Sequence, residues 1–360
     1  MSRLNAAVVG ATGIAGQQLL AALADHPIFD VTVLAASPRS AGKKYVDAIS
    51  TAAGSVQWFC TEPLADGFKT MVVEDAAKLD ATKVDVVFTA LESDAAKELE
   101  PVYAQHVPVM STASAFRMAE DVPILLPGVN PDQISFIKTM QEKRGWKGFI
   151  VPNPNCTTVG LAITLAPLYH TFGINSVLMT SMQGVSGAGR SPGVVALDII
   201  DNIVPYIPKE EEKVEAEARK ILGQVRGDQI EPAPFHVSAT CTRVPVLEAH
   251  TESVYVSLAK PASLAEVKEA MVSFGADFCA LGHPSSPSRL ITVSDDPFRP
   301  QPRLDRIVED GMTTTVGRLR ECGVMPNGIK YLLVSHNTKM GAGKGALLMA
   351  EELVRQGYIS

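Results

Sequence analysis

Short apolar runs separated by amphipathic stretches fill the first 150 residues. Leu4-Asn-Ala-Ala-Val-Val reads as a strand and is followed by a glycine turn and an amphipathic helix from about Ile14 to Asp25. Val31-Thr-Val-Leu-Ala and Val84-Asp-Val-Val-Phe-Thr are two further strands, the second leading into a helical Asp94–Tyr103. His106-Val-Pro-Val-Met and Ile124-Leu-Leu-Pro complete the series. Strands that alternate with helices predict an α/β unit built on a doubly wound parallel sheet. The pattern then changes. Ile174–Met182, His236–Val246 and Ser253–Leu258 are longer and alternate apolar with polar, as antiparallel strands with one covered face do. With helices predicted over Glu210–Leu222 and Leu264–Phe274, they indicate an α+β second domain. A last helix, Gly341–Gln356, carries Leu347, Leu348, Ala350 and Leu353 and is expected to pack back on the first domain.

Composition narrows the class. The chain has 360 residues, 46% of them hydrophobic, and a formal charge of −7. That much apolar content excludes disorder, and the acidic balance without a basic block argues against nucleic acid or an anionic membrane surface as partner. Five cysteines (Cys60, Cys156, Cys241, Cys279, Cys322) are odd in number and widely spaced, so neither a disulfide framework nor a metal site is expected. No secretory signal is visible, and a reducing cytoplasm is the expected compartment. One local feature is unusual: from Gly148 to Gly189, 42 residues contain no Asp, Glu, Lys or Arg. Its most apolar part, Val159-Gly-Leu-Ala-Ile-Thr-Leu-Ala, meets Pro167 and His170 far short of the ~20 residues a membrane span needs.

Chemistry enters at two places. Gly10-Ala-Thr-Gly-Ile-Ala-Gly16 lies between a strand and a helix, where glycines let backbone approach a pyrophosphate and the helix N-terminus offers free N–H groups. At the end of the second strand, where an NAD reader places an acid, the chain has Ala35-Ala-Ser-Pro-Arg-Ser40. Ser37, Arg39 and Ser40 suit a 2′-phosphate, which favours NADP. The second place is Pro152-Asn-Pro-Asn-Cys156-Thr-Thr within the uncharged run, where a helix opens at or just after Cys156. A thiol there feels the aligned amides, which stabilise thiolate. Among seven histidines, His250 is the best-placed base, with Arg243 seven residues earlier as a carboxylate grip.

These residues, with STASAFRM, QGVSGAG, EEEK and N-x-x-x-G-A-x-G near the end, make the chain resemble the archaeal/fungal branch of the aspartate-semialdehyde dehydrogenases over nearly its whole length. The resemblance implies a Rossmann-type NADP-binding domain (1–152 with 337–360) and a catalytic and dimerisation domain (153–336). It implies Cys156 as nucleophile, His250 as acid/base and Gln183 as its orienting neighbour. It places Glu210 and Arg243 at the amino-acid end of the substrate, and Arg117 and Lys213 at phosphate. Gly10, Thr12, Gly13 and Ile14 would hold the pyrophosphate, and Ser186, Gly187 and Asn337 would lie near the nicotinamide. The implied substrates are an acyl phosphate or aldehyde and phosphate, in a homodimer or homotetramer serving lysine, threonine, methionine and isoleucine biosynthesis. One position departs from the family, which usually has Gly before the histidine where this chain has Ala249. A positive φ there would strain alanine. Malonyl-CoA reductase shares the same cysteine and histidine and stays open as a rival, as does a non-catalytic NADP-binding regulator; N-acetyl-glutamyl-phosphate reductase fits less well around the cysteine.

Overall fold

A computed structural model of the chain describes residues 3–188 and 196–360. The chain divides into two compact units: Met1–Pro123, Ile134–Asn153 and Gly343–Ser360 form the first, and Ile124–Gln133 with Pro154–Ala342 the second.

The first unit holds strands β1 (Leu4–Val9), β2 (Phe29–Ala36), β3 (Val73–Asp75), β4 (Val86–Thr89), β5 (Val109–Ser111) and β6 (Ile150–Pro152), in the order β3-β2-β1-β4-β5-β6. All neighbours are parallel. This is the doubly wound order, with its switch point between β1 and β4. Helices α1 (Ile14–Leu23), α2 (Ser93–Ala104) and α3 (Phe136–Arg144) belong to this unit, as does the C-terminal helix Gly343–Arg355. That last helix returns as its apolar face predicted: Leu347, Leu348, Ala350 and Leu353 are buried, and Gly343 lies against Leu19 of α1.

Ile124-Leu-Leu-Pro is not a strand. Its residues are buried, but their backbone is satisfied by a side chain: Leu126 N–H donates to Asn130 Oδ1, and Asn130 Nδ2 donates to the Ile124 carbonyl. The segment belongs to the second unit, where Gln133 Nε2 donates to the carbonyls of Lys220, Ile221 and Gly223. The sixth strand is β6, too short to show a period in sequence.

The second unit starts with α4 (Cys156–Phe172) and strand β7 (Ile174–Gln183), followed by helix α5 (Glu210–Ile221). A hairpin of β8 (Gln224–Arg226) and β9 (Gln229–Glu231) precedes β10 (His236–Arg243) and β11 (His250–Leu258). Then come helix α6 (Leu264–Ser273) and strands β12 (Ile291–Ser294), β13 (Thr314–Glu321) and β14 (Gly328–Ser335). The six-stranded sheet has the order β10-β7-β11-β14-β13-β12. It is mixed rather than antiparallel as expected, because β10 runs parallel to β7 and β12 parallel to β13. Alternation shows only that one face is covered and carries no information on strand direction. The edge strand β10 is protected: its Ala239 and Cys241 N–H groups donate to Glu215 and Glu211, one turn apart on α5.

Candidate active site

The pairing of three strands concentrates side chains at one end of the second sheet. Parallel β10 and β7 end together, so Arg243 pairs with Gln183; β11 starts there in the opposite direction, so His250 pairs with the same Gln183 on its other side. On the far side of β11, His250 faces Ser335, the last residue of β14. The parallel β10–β7 pair is therefore what brings Arg243 to the histidine.

Helix α4 contributes the thiol. Asn155 caps it, with Oδ1 accepting from the N–H groups of Thr157 (2.9 Å) and Thr158 (3.3 Å), and the Asn155 N–H donates to Glu217 Oε2 (2.6 Å). Cys156 is the first helical residue, half-buried, with Sγ 3.1 Å from His250 Nε2. No acid lies in the first turn, so the helix end presents positive potential to the sulfur. On the other side of the ring, Gly184 N–H lies 3.2 Å from Nδ1 and is shared with the Ala249 carbonyl at 3.1 Å. Burial and the Arg243 charge push the His250 pKa down to about 4, against the opposing influence of the Ala249 carbonyl and Glu210. The ring is therefore neutral at pH 7, and with Nδ1 facing the Gly184 N–H its proton lies on Nε2, toward the sulfur, where it supports a thiolate.

Helix α5 delivers a buried carboxylate through Glu210, its first residue. Oε1 accepts from Asn155 Nδ2 (2.9 Å), Gln183 Nε2 (3.3 Å) and Thr157 Oγ1 (3.3 Å), while Lys213, one turn on, lies 3.6 Å from Oε2. Burial alone would raise its pKa, but the Asn155 hydrogen bond, the Lys213 charge, Gln183 and His250 outweigh it and hold it below the ordinary value. Arg243 is buried and donates through Nη1 to the Gly184 carbonyl (2.9 Å). Burial lowers its pKa, with Cys156 and Glu210 opposing. Gly187 completes the wall: a Cβ there would stand 2.9 Å from Arg243 Nη1 and 3.2 Å from His250 Cε1. The missing side chain keeps space beside the thiol–imidazole pair. Asn337 joins Ser186 Oγ (2.9 Å) to the Ala249 N–H (2.8 Å).

In the first unit, Gly10 follows β1 at the switch point with φ +81, and a Cβ there would sit 2.2 Å from the Ala90 carbonyl oxygen. Only glycine fits such a contact. Thr12 lies in the following turn, and α1 opens with Gly13 as N-cap and Ile14 as first residue, with no side-chain cap and no acid in its first turn. Those amides form an anion cradle. Ser37 and Arg39 are exposed in the turn after β2, closed by the Ser40 N–H donating to the Ser37 carbonyl at 2.9 Å. Arg117 is buried, with Nε donating to the Asn153 carbonyl (2.8 Å) and Nη2 to that of Thr112 (3.0 Å).

Cys156, Gln183, Ser186, Gly187, Glu210, Lys213, Arg243, His250 and Asn337 thus all belong to the second unit, while the glycine loop, the Ser37–Ser40 turn and Arg117 belong to the first. Gly189, the end of both the uncharged run and the QGVSGAG motif, lies outside the described residues. Sequence reading gave no role to Asn155, Glu217 or Gly184. An asparagine directly before a helix is a capping signal, so Asn155 was legible. Glu217 looks like any charge on an acidic helix, and its contact spans 62 positions.

Residues 5–137 match the family model for the semialdehyde dehydrogenase NAD binding domain, and residues 165–340 that for the semialdehyde dehydrogenase dimerisation domain. The chain is 45% identical to an aspartate-semialdehyde dehydrogenase of Archaeoglobus fulgidus, covering 99% of this chain and 100% of the relative. It is 43% identical to that of Methanothermobacter thermautotrophicus, over 97% of this chain and 98% of the relative. A crystal structure of the Candida albicans enzyme with NADP superimposes with a TM-score of 0.88 at 39% identity, covering 99% of this chain and 100% of that one. With a thiol–imidazole pair at the joined ends of three strands and matches along almost its full length, the chain belongs to the aspartate-semialdehyde dehydrogenase family.

Proposed function

We propose that this chain catalyses the reductive dephosphorylation of L-4-aspartyl phosphate to L-aspartate 4-semialdehyde and phosphate, and the reverse oxidation, through an acyl-thioester on Cys156. The observation that carries the reading is the 3.1 Å approach of Cys156 Sγ to His250 Nε2 at a helix N-terminus, beside Arg243 and Glu210.

In the reductive direction the Cys156 thiolate attacks the acyl carbon, the C–O bond to phosphate breaks, and inorganic phosphate leaves with the bonding electrons. His250 Nε2–H hydrogen-bonds that thiolate, and His250 gives a proton to the carbonyl oxygen as the thiohemiacetal forms and takes it back as this collapses to aldehyde and thiolate. Gln183, between His250 and Arg243 in the sheet, orients the reacting carbonyl. Arg243 grips the substrate α-carboxylate, and Glu210, held ionised, receives its ammonium group. Arg117 and Lys213 neutralise the phosphate. The glycine cradle at α1 and the acid-free turn after β2 fit NADP, with Gly10, Thr12, Gly13 and Ile14 at the pyrophosphate, Ser37, Arg39 and Ser40 at the 2′-phosphate, and Ser186, Gly187 and Asn337 toward the nicotinamide. When bound, NADPH supplies the hydride that reduces the thioester.

The chain works as a homodimer or homotetramer assembled through its second unit. The match to a dimerisation domain supports this, as do apolar side chains left open there, including Leu178 of β7 at 49% exposure and Ile203 at 60%. Light scattering on the purified chain measures the assembly. No helix among the described residues is long and apolar enough to cross a membrane, and the cytoplasm is the proposed compartment.

The test is NADP reduction with aspartate semialdehyde at increasing phosphate. Turnover that requires phosphate supports the reading. No turnover, or phosphate-independent turnover together with reduction of malonyl-CoA, overturns it.

A further inference from the structure

Ala249 immediately precedes His250 and has φ +79, in the left-handed region that alanine avoids because its Cβ crowds the backbone. Such strain persists only where the surroundings enforce it. Both peptide groups of Ala249 are engaged. Its N–H donates to Asn337 Oδ1 at 2.8 Å, and its carbonyl accepts from Gly184 N–H at 3.1 Å. The Asn337 amide also holds Ser186 Oγ at 2.9 Å. Ser186 N–H in turn donates to the Leu247 carbonyl (3.1 Å), and Val185 N–H to that of Val246 (2.8 Å). Asn337 itself is buried two residues beyond the end of β14, whose Ser335 is the ladder partner of His250. Gly341 closes against its backbone, where a Cβ would lie 2.7 Å from the Asn337 carbonyl oxygen.

We propose that Asn337 is a positioning residue for the acid/base: its side chain clamps Ala249 in the left-handed conformation and so aims the His250 imidazole at Cys156 Sγ. This goes beyond any contact of Asn337 with the cofactor, and it rests on His250 and Cys156 acting as a pair. The charged or titratable groups facing the ring are Cys156, Arg243, Glu210 and His336. Asn337 changes none of their charges, so its effect is on geometry.

The experiment measures the rate of Cys156 alkylation by iodoacetamide against pH in the full-length chain without NADP or substrate. It compares wild type, H250N, N337A, A249G and the N337A/A249G double variant, with kcat and KM measured on each. H250N is expected to move the alkylation midpoint up by a pH unit or more, and N337A to move it the same way by at least half as much while lowering kcat at least tenfold. In the A249G background, where glycine adopts the conformation without a clamp, the N337A loss in kcat shrinks to threefold or less. A249V, which disfavours the left-handed φ but leaves Asn337 intact, reproduces the N337A midpoint and carries the test if N337A does not fold. A wild-type midpoint in N337A with only a raised KM for NADP overturns the proposal, as does the absence of coupling to A249G. An unchanged midpoint in H250N overturns the pairing itself, a failure distinguishable from that of the clamp.

Discussion

Replacing Asn155 by alanine removes two kinds of support at the start of the thiol-bearing helix. The cap to the Thr157 and Thr158 amides is lost, which costs about 1 kcal/mol. The Nδ2 donor to the buried Glu210 carboxylate is lost too, worth about 1.5–3 kcal/mol for a hydrogen bond to a charged group. Glu210 keeps Gln183, Thr157 and Lys213, so the sum is about 3 kcal/mol, or a fall in Tm of about 6–12 °C for a unit of this size. N155D separates the two effects. Aspartate keeps the cap but faces a carboxylate at hydrogen-bond distance, and two such groups cannot both ionise without cost. The pair's folded-state pKa then rises above its unfolded value, so N155D stability is present at low pH and lost as pH rises. Melts followed by near-UV circular dichroism at pH 5.5 and pH 8 test this. An N155A Tm within about 2 °C of wild type, or an N155D deficit equal at both pH values, would show that Asn155 does not support the helix start and Glu210 in this way.

Burial pushes Glu100 up to about 7, although its Oε1 accepts from Thr89 and Ser111 hydroxyls at 2.6 Å each. A raised carboxyl pKa means stability that is complete below about 4.5 and lost as pH rises through 7. E100Q, which keeps the acceptor oxygen, should therefore gain on wild type by up to about 3 kcal/mol between pH 4.5 and 8, read from urea midpoints; a pH-independent difference refutes this. His250 has the opposite sign. With its pKa depressed to about 4, wild type loses stability as pH falls from about 6.5 to 4, and H250N should lack about 3 kcal/mol of that loss. Parallel urea curves for the two proteins across that window would disprove it. R39A should lower the NADP-over-NAD ratio of kcat/KM at least tenfold, and an unchanged ratio removes the Ser37–Ser40 turn from the 2′-phosphate.

Local rules carried the sequence reading far in some places and not in others. The Gly10 turn, the start of α4 at Cys156 and the returning C-terminal helix follow from glycine placement, capping and amphipathic period, all of which act over a few residues. Ile124-Leu-Leu-Pro misled because apolar content marks burial, and Asn130 satisfied its backbone without a ladder. The direction of β10 was invisible, since alternation is the same in parallel and antiparallel strands, yet that direction brings Arg243 beside Gln183. The contacts that build the site, Asn155 to Glu217 and Ala249 to Asn337, join residues 62 and 88 positions apart. Ala249 was the informative exception: an unexpected side chain beside a functional histidine pointed to the strained backbone found there.

The proposed reaction passes the acyl group through Cys156. Intact-protein mass spectrometry after acid quench of the chain mixed with aspartate semialdehyde and NADP, in the absence of phosphate, tests it most directly. The expected result is a single aspartyl adduct mapping to the Cys156 peptide, discharged by added phosphate and absent in C156S. NADP reduction at the wild-type rate by C156S, or an adduct on another cysteine, would contradict it.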